Sequence, residues 1–137
     1  MPFWQLYYHV VWSTAKRHPF ISQRIEQDVH DIIRRAAHRY GVTVHAIGGT
    51  DDHIHLVCEV PPTIQLSTAV GRIKGASTHE INQRQLIDDR TRFGWQSEYG
   101  ITSFARSQLA AVVRYAHEQR PRHQHGTVRS ALERADH

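Results

Sequence analysis

Residues 47 to 60 read IGGTDDHIHLVCEV, and this stretch decides the fold. From His53 to Val60 the side chains are apolar or β-branched apart from two imidazoles and one carboxylate, the composition of a strand. The three polar residues before it, Thr50, Asp51 and Asp52, form a turn, and VTVHAIGG at 42 to 49 is a second strand-like run on its other side. The pair reads as a β-hairpin, stopped by Pro61 and Pro62. Side chains alternate across a strand, so His53 and His55 project from one face while Ile54 and Leu56 point to the other.

Working outward, FWQLYYHVVWS at 3 to 13 is a first strand, and TAKRHPF is a loop interrupted by Pro19. Ser22 is positioned to cap a helix running to about Tyr40. Ile25, Val29, Ile32, Ile33 and Ala36 recur along it at helical spacing, and Gly41 follows as a C-terminal stop. A second helix runs from about Ile64 to Asn82, with Gly71 and Gly75 weakening it or permitting close packing. QRQLIDDRTRFG is a polar loop, and a last strand is expected around Ile101 to Phe104. Ser107 would then cap a third helix, QLAAVVRYAHEQ, ending before Pro121; the polar tail from about residue 122 is expected to be loosely ordered. Strand, helix, strand, strand, helix, strand, helix is an α+β, ferredoxin-like (RRM-like) order: an antiparallel sheet with helices on one face, the other face left for a site, and an added C-terminal helix.

The chain of 137 residues with 39% hydrophobic content fits a single domain spanning 1–137. Its apolar runs are too short to cross a bilayer, and MPFWQLYYHV lacks the pattern of a secretory leader, so a cytoplasmic location is the expectation. One cysteine, Cys58, excludes an internal disulfide framework and reads as a small buried hydrophobe. A formal charge of +4 with a pI near 9.6 favours a polyanionic partner. The twelve histidines are scattered, so no terminal tag accounts for them.

Two imidazoles on adjacent same-side positions stand close enough for one divalent ion to bridge them. The same pattern also arises on a half-wet sheet face with no ion, and the pair alone does not decide between these readings. Two further residues add weight to the first. In VVRYAHEQRP, Tyr115 and Gln119 are four apart and share one helical face. Laid over the free side of the sheet, that face would bring an amide oxygen and a phenol to the imidazoles. A helical tyrosine is otherwise an ordinary core or rim residue.

Taken together, these segments resemble the single-tyrosine "HUH" transposases of the insertion-sequence 200/605 type. The resemblance is carried by YHVVWSTAKRHPFI, IGGTDDHIHLV, PPTIQLSTAVGRIKGASTHEIN, FGWQSEYGITSF and VVRYAHEQ, in that order along nearly the whole chain. It implies that His53 and His55 bind a divalent cation, Mg²⁺ or Mn²⁺, that Gln119 supplies a further ligand, and that Tyr115 is the nucleophile. Many relatives carry WQRGYGAFSVS where this chain has WQSEYGITSFA, so Ser97 and Glu98 replace a basic residue and a glycine.

The implied reaction is cleavage and rejoining of single-stranded DNA through a 5′-phosphotyrosine. It needs no nucleotide cofactor, and no G-x-x-x-x-G-K-[ST] loop is present. The implied partners are hairpin-bearing single strands and a second copy of the chain, with LYYHVVW offering a merged sheet; whether the site assembles in cis or in trans stays open. Lys16, Arg17, Arg72, Lys74, Arg114, Arg120 and Arg122 are the basic residues that could meet phosphate. Trp4, Trp12 and Trp95 could stack on bases, although burial is the simpler role for all three. Helix geometry turns Arg114 and His117 from the Tyr115 face, so neither is assigned to catalysis. Two other readings compete: a domesticated relative that binds hairpins without cutting, and a ferredoxin-like metal or small-molecule protein unrelated to DNA.

Overall fold

The computed structural model describes residues 3–88, 90–125 and Glu133. Its strands are β1 (Tyr7–Ser13), β2 (Thr43–Gly49), β3 (His53–Glu59) and β4 (Gly100–Phe104), and its helices are α1 (Gln23–Arg39), α2 (Leu66–Gln83), α3 (Leu109–His117) and α4 (Gln119–His125). The strands form one sheet in the order β2-β3-β1-β4, and every pairing is antiparallel. This is the ferredoxin-like arrangement expected from the element order.

The alternation along β3 separates the molecule into two layers. Ile54, Leu56 and Cys58 join Val10 and Trp12 of β1, Ile47 of β2 and the inward stripes of α1 and α2 in the main core. The opposite face of the sheet is covered by α3, where Val112 and Ala116 pack on Ala46 and Val57. Gly48 makes that approach possible: a Cβ there would stand 1.6 Å from the carbonyl oxygen of Ala116. Gly41 has φ +80°, the left-handed conformation that closes α1.

Several local expectations need correction. β1 begins at Tyr7, not at Phe3; Phe3 is 84% exposed. Neither Ser22 nor Ser107 caps a helix through its side chain: Ser22 precedes α1 without a cap hydrogen bond, and Ser107 lies inside a 3-10 turn before α3. The third helix does not run unbroken to Gln119. It ends at His117, Glu118 leaves helical geometry with ψ 23°, and α4 then continues through Pro121. Proline is tolerated there because it occupies the first turn of a new helix, where a backbone N–H has no intrahelical acceptor. Residues 122 to 125, expected to be loose, are helical; the rest of the tail apart from Glu133 lies outside the described residues.

β1 is also an interior strand. Its ladders to β3 and β4 use both of its edges, so a second copy cannot merge sheets through LYYHVVW. Trp12 is fully buried and meets Trp95 edge-on at 5.8 Å, while Trp4 is 39% exposed and lies outside the core of this chain.

Candidate metal and nucleophile site

The sheet face beneath α3 and α4 presents His53 and His55, which are 3% and 0% exposed. Each imidazole is held from behind through its Nδ1. His53 Nδ1 lies 2.9 Å from Asp52 Oδ1 and 2.8 Å from Thr50 Oγ1, and Asp52 is in turn paired with Arg17 at 3.3 Å. His55 Nδ1 lies 2.7 Å from Nε2 of His9, a buried residue of β1. Both Nε2 atoms therefore face the same space.

That space holds the carboxylate of Glu133. Its Oε1 is 3.0 Å from His55 Nε2 and 3.4 Å from His53 Nε2, and its Oε2 accepts a short hydrogen bond from the hydroxyl of Tyr115. Tyr115 is completely buried, with its ring edge-on to His55 at 5.9 Å. Gln119 follows one turn later. Its Nε2 donates to the Tyr115 carbonyl at 3.0 Å, which leaves Oε1 3.3 Å from His53 Nε2. His123, a further turn on, places Nε2 3.1 Å from Gln119 Oε1 and 3.2 Å from Glu133 Oε1.

The electrostatics follow from burial and from the shared carboxylate. Burial disfavours charge on His53, but hydrogen bonds to Glu133, Asp52 and Gln119 outweigh it and raise its pKa. At His55 burial prevails over the pull of Glu133, and the pKa falls. His9 is pushed down to about 3 by burial and by the neighbouring His55. Burial opposes ionisation of Glu133, yet its hydrogen bonds to His53, His55 and Tyr115 hold it far below the usual carboxylate range.

The donor set suits a divalent ion. One ligand atom from each of His53, His55 and Glu133 can be chosen so that all lie within 4.8 Å of one another. Two imidazole nitrogens, a carboxylate oxygen and the amide oxygen of Gln119 are borderline-to-hard donors of the kind such ions take.

The basic residues divide by layer. Lys16 and Arg17 follow β1 with φ of 53° and 54°, left-handed values that cost non-glycine residues energy. Arg17 and Arg120 line a cavity of about 420 Å³ beside His53, with Thr50, Asp51, Asp52 and His123. Arg120 is braced by Asp51 at 2.7 Å and Glu26 at 3.1 Å. Arg122 pairs with Glu118 at 3.1 Å and lies over the Tyr115 ring at 4.7 Å, and Arg114 is exposed on α3. The other two belong to the far layer. Arg72 lies 5.6 Å over the ring of Tyr40. Lys74 is buried and donates to the carbonyls of Gln96 and Glu98 at 2.6 and 2.9 Å, so its ammonium is committed to the loop before β4 and not to phosphate.

Four neighbours of the site were missed from the sequence. His123 continues the Tyr115, Gln119 stride, but Pro121 between Gln119 and His123 reads as a stop. His9 shares the alternation of β1, but only the register brings it to His55. Asp52 reads from the sequence as a turn residue. Glu133 lies in a polar tail that carries no periodic signal.

The chain is similar in sequence and in fold to known proteins. The sequence model of the family described as "Transposase IS200 like" matches residues 2–119. The ISDra2 transposase TnpA of Deinococcus radiodurans is 25% identical over 119 residues, 85% of each chain. A transposase for insertion sequence element IS200 from Salmonella typhimurium is 28% identical over 75 residues, covering 55% of this chain and 49% of its own. Among solved structures, a protein of Deinococcus radiodurans R1 assigned as a transposase superposes with TM-score 0.68 at 22% identity, covering 85% of this chain and 94% of its own. A REP-associated tyrosine transposase bound to a REP hairpin superposes with TM-score 0.63 at 15% identity, covering 93% and 76%.

Proposed function

The chain belongs to the IS200-like transposase family, and from that premise we propose that it cuts and rejoins single-stranded DNA with Tyr115 as nucleophile. The observation that carries this reading is convergence. The phenol of Tyr115 and the Nε2 atoms of His53 and His55 all meet at one anionic group, the carboxylate of Glu133. A scissile phosphate presents anionic oxygens to the same donors.

In this reading His53, His55 and Gln119 hold the ion, Mg²⁺ or Mn²⁺, with Glu133 as a carboxylate ligand that the sequence did not reveal. Such an ion supplies Lewis-acid polarisation of the phosphate and offsets charge in the transition state. The chain's own residues do the rest. The Tyr115 oxygen attacks phosphorus as its O–H bond breaks, a 5′-phosphotyrosine forms, and O3′ leaves and takes up a proton. Attack on that link by a second 3′-hydroxyl restores a phosphodiester and returns the phenol. One P–O ester is exchanged for another at each step, so no nucleotide cofactor is required.

The DNA partner we propose is a hairpin-bearing single strand, because the REP-associated tyrosine transposase of the same fold is bound to a REP hairpin. Lys16, Arg17, Arg114, Arg120 and Arg122 are the phosphate contacts we assign to it; Arg17, Arg120 and Arg122 lie around the site. The whole chain acts as one domain. We place it in the cytoplasm with its DNA, and no helix among the described residues is long and apolar enough to cross a membrane. If it works as a homodimer, the contact must use an element other than β1.

The deciding experiment incubates labelled hairpin single strands with the protein and Mn²⁺ and runs a denaturing gel. The expected result is a covalent adduct that is absent from Tyr115→Phe. Hairpin binding with no adduct in the wild-type protein would favour the non-cutting relative instead. An undiminished adduct in Tyr115→Phe would remove Tyr115 from the role.

A further inference from the structure

We propose that His9 is a positioning residue for the metal site: it offers an acceptor for the Nδ1 proton of His55, so that the His55 Nε2 lone pair can face the ion. The proposal rests on the reading of His53 and His55 as ligands and extends it to a residue outside that set.

The geometry is a single buried hydrogen bond. His9 Nε2 stands 2.7 Å from His55 Nδ1, the two rings stack with centroids 4.8 Å apart, and His9 and His55 are 1% and 0% exposed. The contact is set by strand register. His9 pairs with Val57 and Val11 with His55, so His9 reaches His55 diagonally across the β1–β3 ladder on the site face.

A neutral imidazole has one donor and one acceptor nitrogen, so a bond between two of them admits only two arrangements. In one, His55 donates from Nδ1 to His9, and His55 Nε2 is a lone pair aimed into the site. In the other, His9 donates to His55, and the His55 Nε2 carries a hydrogen that it gives to the Glu133 carboxylate and that an ion must displace. Ligation requires the first arrangement, with His9 as acceptor.

The two ligands are therefore set by different means. Asp52 beside His53 Nδ1 is a carboxylate and can only accept, so the proton on that nitrogen is enforced by charge. His55 has another imidazole as its partner, and its orientation depends on that partner's ring. Loss of such an outer hydrogen bond commonly weakens metal binding by about 10- to 100-fold.

The test measures Mn²⁺ affinity of the DNA-free full chain by electron paramagnetic resonance, alongside thermal unfolding of the metal-free protein. His9→Phe removes the acceptor and should weaken Mn²⁺ binding by about 10-fold or more, whereas His9→Gln, whose amide oxygen can accept, should stay within a few-fold of wild type. Equal affinity in wild type and a folded His9→Phe overturns the proposal, as does equal weakening by Phe and Gln. A His53→Ala/His55→Ala control keeps the two readings apart: if it binds Mn²⁺ like wild type, the ligand assignment fails and the role of His9 falls with it; if it loses Mn²⁺ while a folded His9→Phe keeps it, the role of His9 alone is overturned. Long-range ¹H–¹⁵N correlation of the Zn²⁺-loaded wild-type protein gives a second decision should His9→Phe not fold. A proton on His55 Nδ1 with a bare His9 Nε2 supports the proposal, and the reverse tautomers overturn it.

Discussion

Glu133 joins the parts of the site, touching both imidazoles of β3, His123 and the Tyr115 hydroxyl. As an ionised ligand it should contribute charge that an amide cannot. Glu133→Gln is expected to weaken Mn²⁺ binding several-fold while leaving the fold intact, measured by competition with a fluorescent chelator. Unchanged affinity would make Glu133 a bystander. Cys58 gives a second residue-level expectation. Burial pushes its thiol up to about 12, so the native protein should resist maleimide labelling that proceeds freely after denaturation. Labelling of the native protein at the rate of a free thiol would contradict that burial.

At the scale of elements, the contact between α3 and β2 is the most constrained. An added methyl at Gly48 would collide with the Ala116 carbonyl, and backbone cannot yield as a side-chain tip would. Gly48→Ala should therefore destabilise the protein by about 1–3 kcal/mol in urea unfolding and displace Tyr115, lowering adduct yield more than stability alone explains. Wild-type stability in that variant would mean α3 is seated elsewhere. This seat also explains what the sequence could and could not reveal. The strand carrying His53 and His55 was legible because alternation is a local property. The Tyr115–Gln119 spacing was legible because a helix fixes it within one turn. The break at Glu118 was not, since it depends on how α3 and α4 dock on the sheet. Nor was the His9 contact, which exists only once β1 and β3 pair in register.

For the whole molecule, the buried histidines set the response to acid. His9, His30 and His55 have lowered pKa values because burial disfavours their charged forms, so unfolding takes up protons at each as pH falls below about 6.5. Each contributes a loss of up to about 1.4 kcal/mol per pH unit over its own window. His53 has the opposite sign: its pKa is raised, so its contribution is complete at low pH and fades as pH rises through the folded value. Three groups against one give net destabilisation on acidification. Asp52 and Glu133, whose pKa values are depressed, deepen it once pH drops below the usual carboxylate range. Unfolding of the metal-free protein followed between pH 8 and about pH 4 should show stability falling throughout the lower half of that span. A stability maximum near pH 5 would mean these histidines are not buried neutral. The parts of the molecule that stayed closed to sequence reasoning are the long-range ones: a tail carboxylate reaching the centre of the site, and basic side chains whose layer is fixed only by topology.

The same seven residues of β3 send aliphatic side chains to the core and imidazoles to the opposite face. A slip of one position along β1 or β2 would exchange those two sets, stranding imidazole among hydrocarbon and showing leucine to the ion. Both halves of that exchange cost stability, so a misaligned pairing is penalised on each face at once: fidelity of pairing and competence for chemistry are proofread by one and the same ladder.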